Sequence, residues 1–135
     1  MSNWYGTARS NYFRVRDLDS FKAWAATLPS VEVVEHEGRF ALLVSGGEGD
    51  GWPSTRSSDS DDPEEEEIDL TAELAPQLVE GEIAILMEAG AEKLRYISGW
   101  SIAVHSSGES IRLHLSDIYE HAVTRWGGSV TDTAY

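Results

Sequence analysis

The sequence predicts an α+β domain: an antiparallel sheet of five to six strands with two to three helices, mainly on one face, and a long acidic loop. Three observations predict it. Six segments carry short alternating or continuous apolar runs bounded by turn residues, the signature of strands. Three further segments carry apolar residues at helical spacing beside capping residues. The last three strand segments follow one another through turns too short for a crossover, so they pair antiparallel. At 135 residues the chain reads as one domain, 1–135, long enough to bury a sizeable core.

Residues 1–10 are polar, with Gly6 beside Trp4 and Tyr5, and read as an irregular lead-in. Ser10–Arg16 reads as the first strand, with Phe13 and Val15 inward and Tyr12, Arg14 and Arg16 outward. Asp17 has N-cap chemistry, and Leu18, Phe21, Ala25 and Leu28 then fall on one helical face until Pro29. Val31–Glu35 and Arg39–Ser45 read as strands joined by His36-Glu37-Gly38. The second is apolar on both sides, which predicts a central strand covered on both faces.

Leu70, Leu74 and Leu78 predict a short helix that Pro76 limits or bends. Ile83, Ile85 and Met87 are the expected core face of the next strand. Leu94–His105 follows, with a bulge expected at Gly99. Ser110–Leu115 is the last strand, with Ile111, Leu113 and Leu115 inward and Arg112 and His114 outward. Ser116 is the expected N-cap of a final helix, which Gly127-Gly128 stops, with a loose tail after it.

Between these halves lies residues 46–67, read as a flexible Gly-rich and acidic loop. Its charge is exceptional. The window 48–92 holds fifteen of the 24 acids and one of the 10 bases, so it carries the whole net charge of −14 and leaves nine of each sign elsewhere. The acidity is a local feature on a neutral scaffold. It opposes binding to phosphate backbones or anionic membranes and favours a basic protein partner. Acidity of this kind also keeps a protein soluble without further purpose.

Enzyme and metal chemistry find little support. Without cysteine there is no disulfide, thiolate zinc site or cysteine nucleophile. A calcium loop starting at Asp59 fails at Pro63, Glu64 and Leu70, where a ligand, the glycine and the final glutamate belong. The glycines of 46–51 lack the Gly-Lys-Ser/Thr of a phosphate loop. No His-x-x-x-His spacing occurs, although His105 and His114 could face each other across the Ser106–Glu109 turn. Arg14, Arg16, Arg95, Arg112 and Arg125 could gather with Tyr12 and Tyr96 into a basic-aromatic patch; strand arginines facing solvent are the plainer reading. The expectation is therefore a non-enzyme with no cofactor and no metal. No signal-peptide pattern or membrane-length apolar run occurs, which predicts a cytoplasmic protein.

Ser10-Asn11-Tyr12-Phe13-Arg14-Val15-Arg16-Asp17, with Gly51-Trp52-Pro53 and Ala91-Glu92-Lys93-Leu94-Arg95-Tyr96, resembles a family of small acidic accessory proteins of phages, plasmids and integrative elements. In size and charge the chain is similar to anti-CRISPR and anti-restriction proteins, several of which mimic DNA. The resemblance implies an inhibitor that blocks a nucleic-acid-binding host defence protein, with no direct contact to nucleic acid. Carboxylates would then stand in for phosphates. The candidate partner-binding residues are Asp59, Asp61, Asp62, Glu64, Glu65, Glu66, Glu67 and Asp69, with Trp52 as anchor. The alternatives are an immunity protein that neutralises a basic toxin and a structural or regulatory subunit that dimerises through its sheet. Either a monomer or a homodimer is compatible with the sequence.

Overall fold

A computed structural model of the chain describes residues 4–44, 51–53, 55–57, 65–92, 96–129 and 131; of residues 4–6, 55–57, 65, 91, 92 and 96 it describes the backbone alone. The elements are β1 (Trp4–Ser10), α1 (Leu18–Ala25), β2 (Val31–His36), β3 (Arg39–Val44), β4 (Thr55–Ser57), β5 (Glu65–Glu67), α2 (Leu70–Leu74), β6 (Ile83–Glu92), β7 (Tyr96–His105), β8 (Ser110–His114) and α3 (Asp117–Trp126). Six strands form one antiparallel sheet in the order β2-β3-β1-β6-β7-β8, and β4 and β5 form a separate two-stranded ladder. The α+β architecture is the one the sequence predicts.

The first strand is not where the alternation placed it. Residues 4–10, expected as a lead-in, form the central β1, which pairs along its full length with β6 from Trp4↔Glu92 to Ser10↔Leu86. Gly6, Thr7, Ala8 and Ser10 are too small or polar to give a hydrophobic period, yet small residues suit a strand with tight neighbours. Ala8 and Ser10 are buried. Residues 11–16 instead leave the sheet and cross to the helical layer; after the bonds of Asn11 to β6 they make only the isolated bridges Phe13↔Phe40 and Val15↔Leu78. Their alternation still sorts them, with Phe13 fully buried and Tyr12, Arg14 and Arg16 exposed.

Two side chains manage that exit. The Ser10 hydroxyl donates to the Asn11 carbonyl at 2.8 Å and accepts the Leu42 N–H at 2.8 Å. The Asn11 side chain accepts the Ile85 N–H at 2.8 Å and donates to the Ile83 carbonyl at 3.3 Å, so an amide side chain continues the ladder that the backbone abandons. Ser10→Ala strands the buried Leu42 N–H. The expected cost is about 1–3 kcal/mol, read as a lower urea midpoint with an unchanged denaturant slope.

The core lies on one face of the sheet, under α1, α2 and the 3-10 turn Ala75–Gln77. Phe21 packs edge-on against Phe13 and tilts against Phe40, and Leu42, Leu74, Leu78, Ala84, Leu86, Ile102 and Val104 complete the cluster. Asp17 caps α1 by accepting the Ser20 N–H, as expected. Trp24 Nε1 donates to Glu73 Oε1 at 2.8 Å and ties α1 to α2. Pro76 falls just past α2, where the chain tightens into the 3-10 turn. β3 is an interior strand, and Phe40, Ala41 and Leu42 are all buried. Glu37 and Gly38 both have positive φ, so the two-residue β2–β3 turn matches the right-handed twist of its strands.

Two strands show the opposite face from the one predicted. On β6, Ala84 and Leu86 are buried while Ile83 and Met87 are exposed. On β8, Ile111 is 69 % and Leu113 55 % exposed, and the Arg112 guanidinium turns inward over the Trp100 ring, 5.2 Å from its centroid. Slipping the inward set by one residue exchanges the two faces. Residues 83–87 are apolar on both sides, so periodicity could not choose. The layer of α1 and α2 covers the side that carries Ala84 and Leu86, and that decides which set is core.

Two local expectations also change. Gly99 sits in regular register opposite Ala89, with no bulge, and a Cβ there would meet Leu115 Cδ1 at 2.9 Å. Ser116 makes no side-chain cap; Asp117 Oδ2 accepts the His114 N–H at 2.8 Å instead.

Candidate functional site

In the sequence the acidic residues concentrate between the end of β3 and the start of β6. Within 46–67, β4 and β5 pair Thr55↔Glu67, Arg56↔Glu66 and Ser57↔Glu65. Part of the glutamate run is thus strand, set in a ladder of its own. Glu66 and Glu67 are exposed, and Glu65 belongs to the ladder by its backbone. Asp59, Asp61, Asp62 and Glu64 lie outside the described residues, as do most of the expected loop 46–67 and the tail beyond 131. Asp69 is exposed but already employed: its Oδ1 accepts the Ala72 N–H at 3.2 Å and the Thr71 hydroxyl at 3.0 Å, capping α2.

Trp52 is an anchor, and what it grips is its own sheet. It is half-buried against the core, its backbone N–H donates to Glu88 Oε1 at 2.7 Å, and its indole Nε1 donates to the Met87 carbonyl at 3.1 Å. Glu88 Oε2 also accepts Trp100 Nε1 at 2.9 Å. Gly51 lets the Glu88 carboxylate lie against the backbone, where a Cβ would push it aside. Glu88 therefore fastens Trp52 to β6 and β7, three residues before β4. Beside this clamp, Trp52, Pro53, Ile68, Leu70 and Trp100 line a cleft of about 310 Å³, with Arg112 at its edge.

Sequence reasoning missed Glu88. A signal was present: it is a carboxylate in the middle of a largely apolar strand, and it shares the alternating set of Ala84 and Leu86. Only the register shows that Trp100 stands directly opposite it.

The remaining candidates are dispersed. His105 lies on the outer face at the β7 end, where its Nδ1 accepts the Ser107 N–H, whereas His114 pairs with Trp100 and points to the other face; the two do not meet. Among the described residues no three His, Asp or Glu side chains are placed to hold a metal ion. Arg16 Nε donates to the Leu78 carbonyl, Arg112 stacks on Trp100, and Arg14 pairs with Glu82 at 3.0 Å; Arg95 and the side chain of Tyr96 lie outside the description. These arginines serve separate elements instead of forming a patch.

Glu82 has a perturbed carboxyl. Partial burial raises its pKa, but hydrogen bonds from the Arg14 backbone N–H and guanidinium, the Arg14 charge and the Ile83 N–H outweigh burial and hold it below its ordinary value of 4.5. A depressed folded-state pKa gives stability that is present above the unfolded value and lost as pH falls through the folded value. Glu82→Gln is therefore expected to cost about 1 kcal/mol at pH 7. The gap to wild type should close as pH drops below 4.5, as chemical denaturation at several pH values would show.

No protein-family model, curated protein or solved structure matches the chain. Among the described residues no helix is long and apolar enough to cross a membrane.

Proposed function

We propose that this protein is a non-enzymatic inhibitor, of the kind mobile elements use against host defence, acting in the host cytoplasm. Its acidic segment docks into the basic groove of a nucleic-acid-binding protein. The observation that carries this reading is the segregation of charge: residues 48–92 hold the full −14, while the rest of the chain is neutral. The fold is consistent with a display role. β4 and β5 stand in a ladder separate from the main sheet, and Glu66 and Glu67 are solvent-facing. The Glu88–Trp52 clamp holds the start of the segment, and the Asp69 cap fixes its end. Duplex DNA carries one negative charge per about 1.7 Å of axis, and a dense carboxylate run competes for the same Lys/Arg-lined surface.

The groups in named roles are Asp59, Asp61, Asp62 and Glu64–Glu67 as phosphate surrogates. Asp69 and Trp52 hold the segment rather than touch the partner. Immobilised protein is expected to capture a nucleic-acid-binding protein from host lysate, and duplex DNA is expected to release it. Capture of a partner that DNA leaves bound argues against phosphate mimicry. It would favour the immunity reading, in which one basic toxin is the cognate partner.

A further inference from the structure

The sheet has a second face, and the described chain leaves it largely bare. Register places Ile83, Met87, Ile97, Ile111 and Leu113 on the side away from α1 and α2, and all five are exposed. α3 has no buried residue, although Ile118, Val123 and Trp126 project apolar surface from it, Trp126 at 79 % exposure. A groove of about 520 Å³ runs between them, with Met87, Ala89 and Leu113 on the sheet side and Ile118 and His121 on the helix side.

We propose that a second copy of this chain covers this face, each copy laying the apolar side of its α3 and Trp126 across the groove of the other. Three features favour a second copy. The first is area: at roughly 200 Å² for a fully exposed large side chain, the sheet and helix residues together present on the order of 1,000 Å² of apolar surface. That exceeds the roughly 300–600 Å² of the largest patch on a typical monomer and meets the roughly 800 Å² per partner of a stable interface.

The second is charge. A chain at −14 repels its own copy wherever acids meet. Yet on β1, β6, β7 and β8 the described side chains facing this way include no Asp or Glu; Arg9 and His105 are the basic or titratable ones. Of the two acids that line the groove, Glu88 has its carboxylate bonded to Trp52 and Trp100 on the other face, and Asp117 is engaged with the His114 N–H. The third is self-complementarity. A twofold dimer needs both halves of each contact on one chain, and here an unfilled apolar groove and an undocked apolar helix lie side by side.

Sedimentation equilibrium of the full chain tests this, with Leu113→Glu in the face and Trp126→Glu in the helix. Both sites are exposed, so circular dichroism of either variant should match wild type. Wild type is expected at twice 14.9 kDa, and each variant alone should raise the dissociation constant by about 100-fold. A mixture of the two variants should regain a heterodimer, because one still supplies an intact groove and the other an intact helix. A wild type that stays at 14.9 kDa at every concentration overturns the proposal. So does a dimer that neither variant weakens. A dimer broken by Leu113→Glu but not by Trp126→Glu, or a mixture that fails to associate, overturns the helix exchange.

Discussion

Replacing Glu64, Glu65, Glu66 and Glu67 together by glutamine is expected to remove partner binding while changing folding stability by no more than about 1 kcal/mol. The variant deletes four of the fourteen net negative charges and preserves side-chain size. Glu66 and Glu67 are exposed on a two-stranded ladder of three residue pairs and are not part of the buried cluster. Relief of repulsion within the run offsets whatever local hydrogen bonding glutamine reproduces less well. Asp69 is left intact because its carboxylate caps α2, and its removal would mix a folding effect of about 1 kcal/mol into the readout. Capture assays beside thermal denaturation check both halves. A variant that binds as well as wild type would move the site off the glutamate run.

Glu88→Ala is expected to act in the opposite sense, weakening the fold first and binding second. The carboxylate accepts the Trp52 backbone N–H and the Trp100 indole N–H, each a hydrogen bond to a charged acceptor. Glu88 is half-buried, so water replaces part of the loss. A total near 2–4 kcal/mol follows for the two bonds and the void against Gly51. Trp52 loses one of its two ties to the sheet, which tryptophan fluorescence would register as a shift to longer wavelength. Partner affinity should fall less than in the glutamine variant, because the charges remain and only their attachment loosens. Glu88→Gln keeps one acceptor oxygen and is expected to fall between wild type and Glu88→Ala.

The sequence made the α+β class legible because turn chemistry and capping survive tertiary context. Asp17, Glu37-Gly38, Pro76 and Gly127 act where their local chemistry says they should. Position in the sheet was less legible. β1 is central, yet its Gly, Ala, Thr and Ser carry no period, while Phe13–Arg16 alternates clearly and makes only isolated bridges, because the Ser10 and Asn11 side chains take pairing groups where the chain leaves the sheet. The facing of β6 and β8 was illegible for a different reason. β6 holds apolar residues on both faces, and only the helices laid over one side decide which is core, whereas β8 alternates cleanly but turns its apolar Ile111 and Leu113 away from the core. The same ambiguity hid the bare second face. For the candidate site, the charge asymmetry was written in the sequence, but the Glu88 clamp depends on residues 36 and 12 positions away in the chain.

We propose that binding runs through the acidic segment as a substitute for nucleic acid. The affinity of the purified partner, measured as salt is raised and again with duplex DNA as competitor, tests it most directly. The account predicts a steep fall in affinity with salt, of the order of 10³-fold or more between roughly 50 and 200 mM if six or more charges are matched, and full displacement by DNA. An affinity that neither salt nor DNA reduces would contradict it.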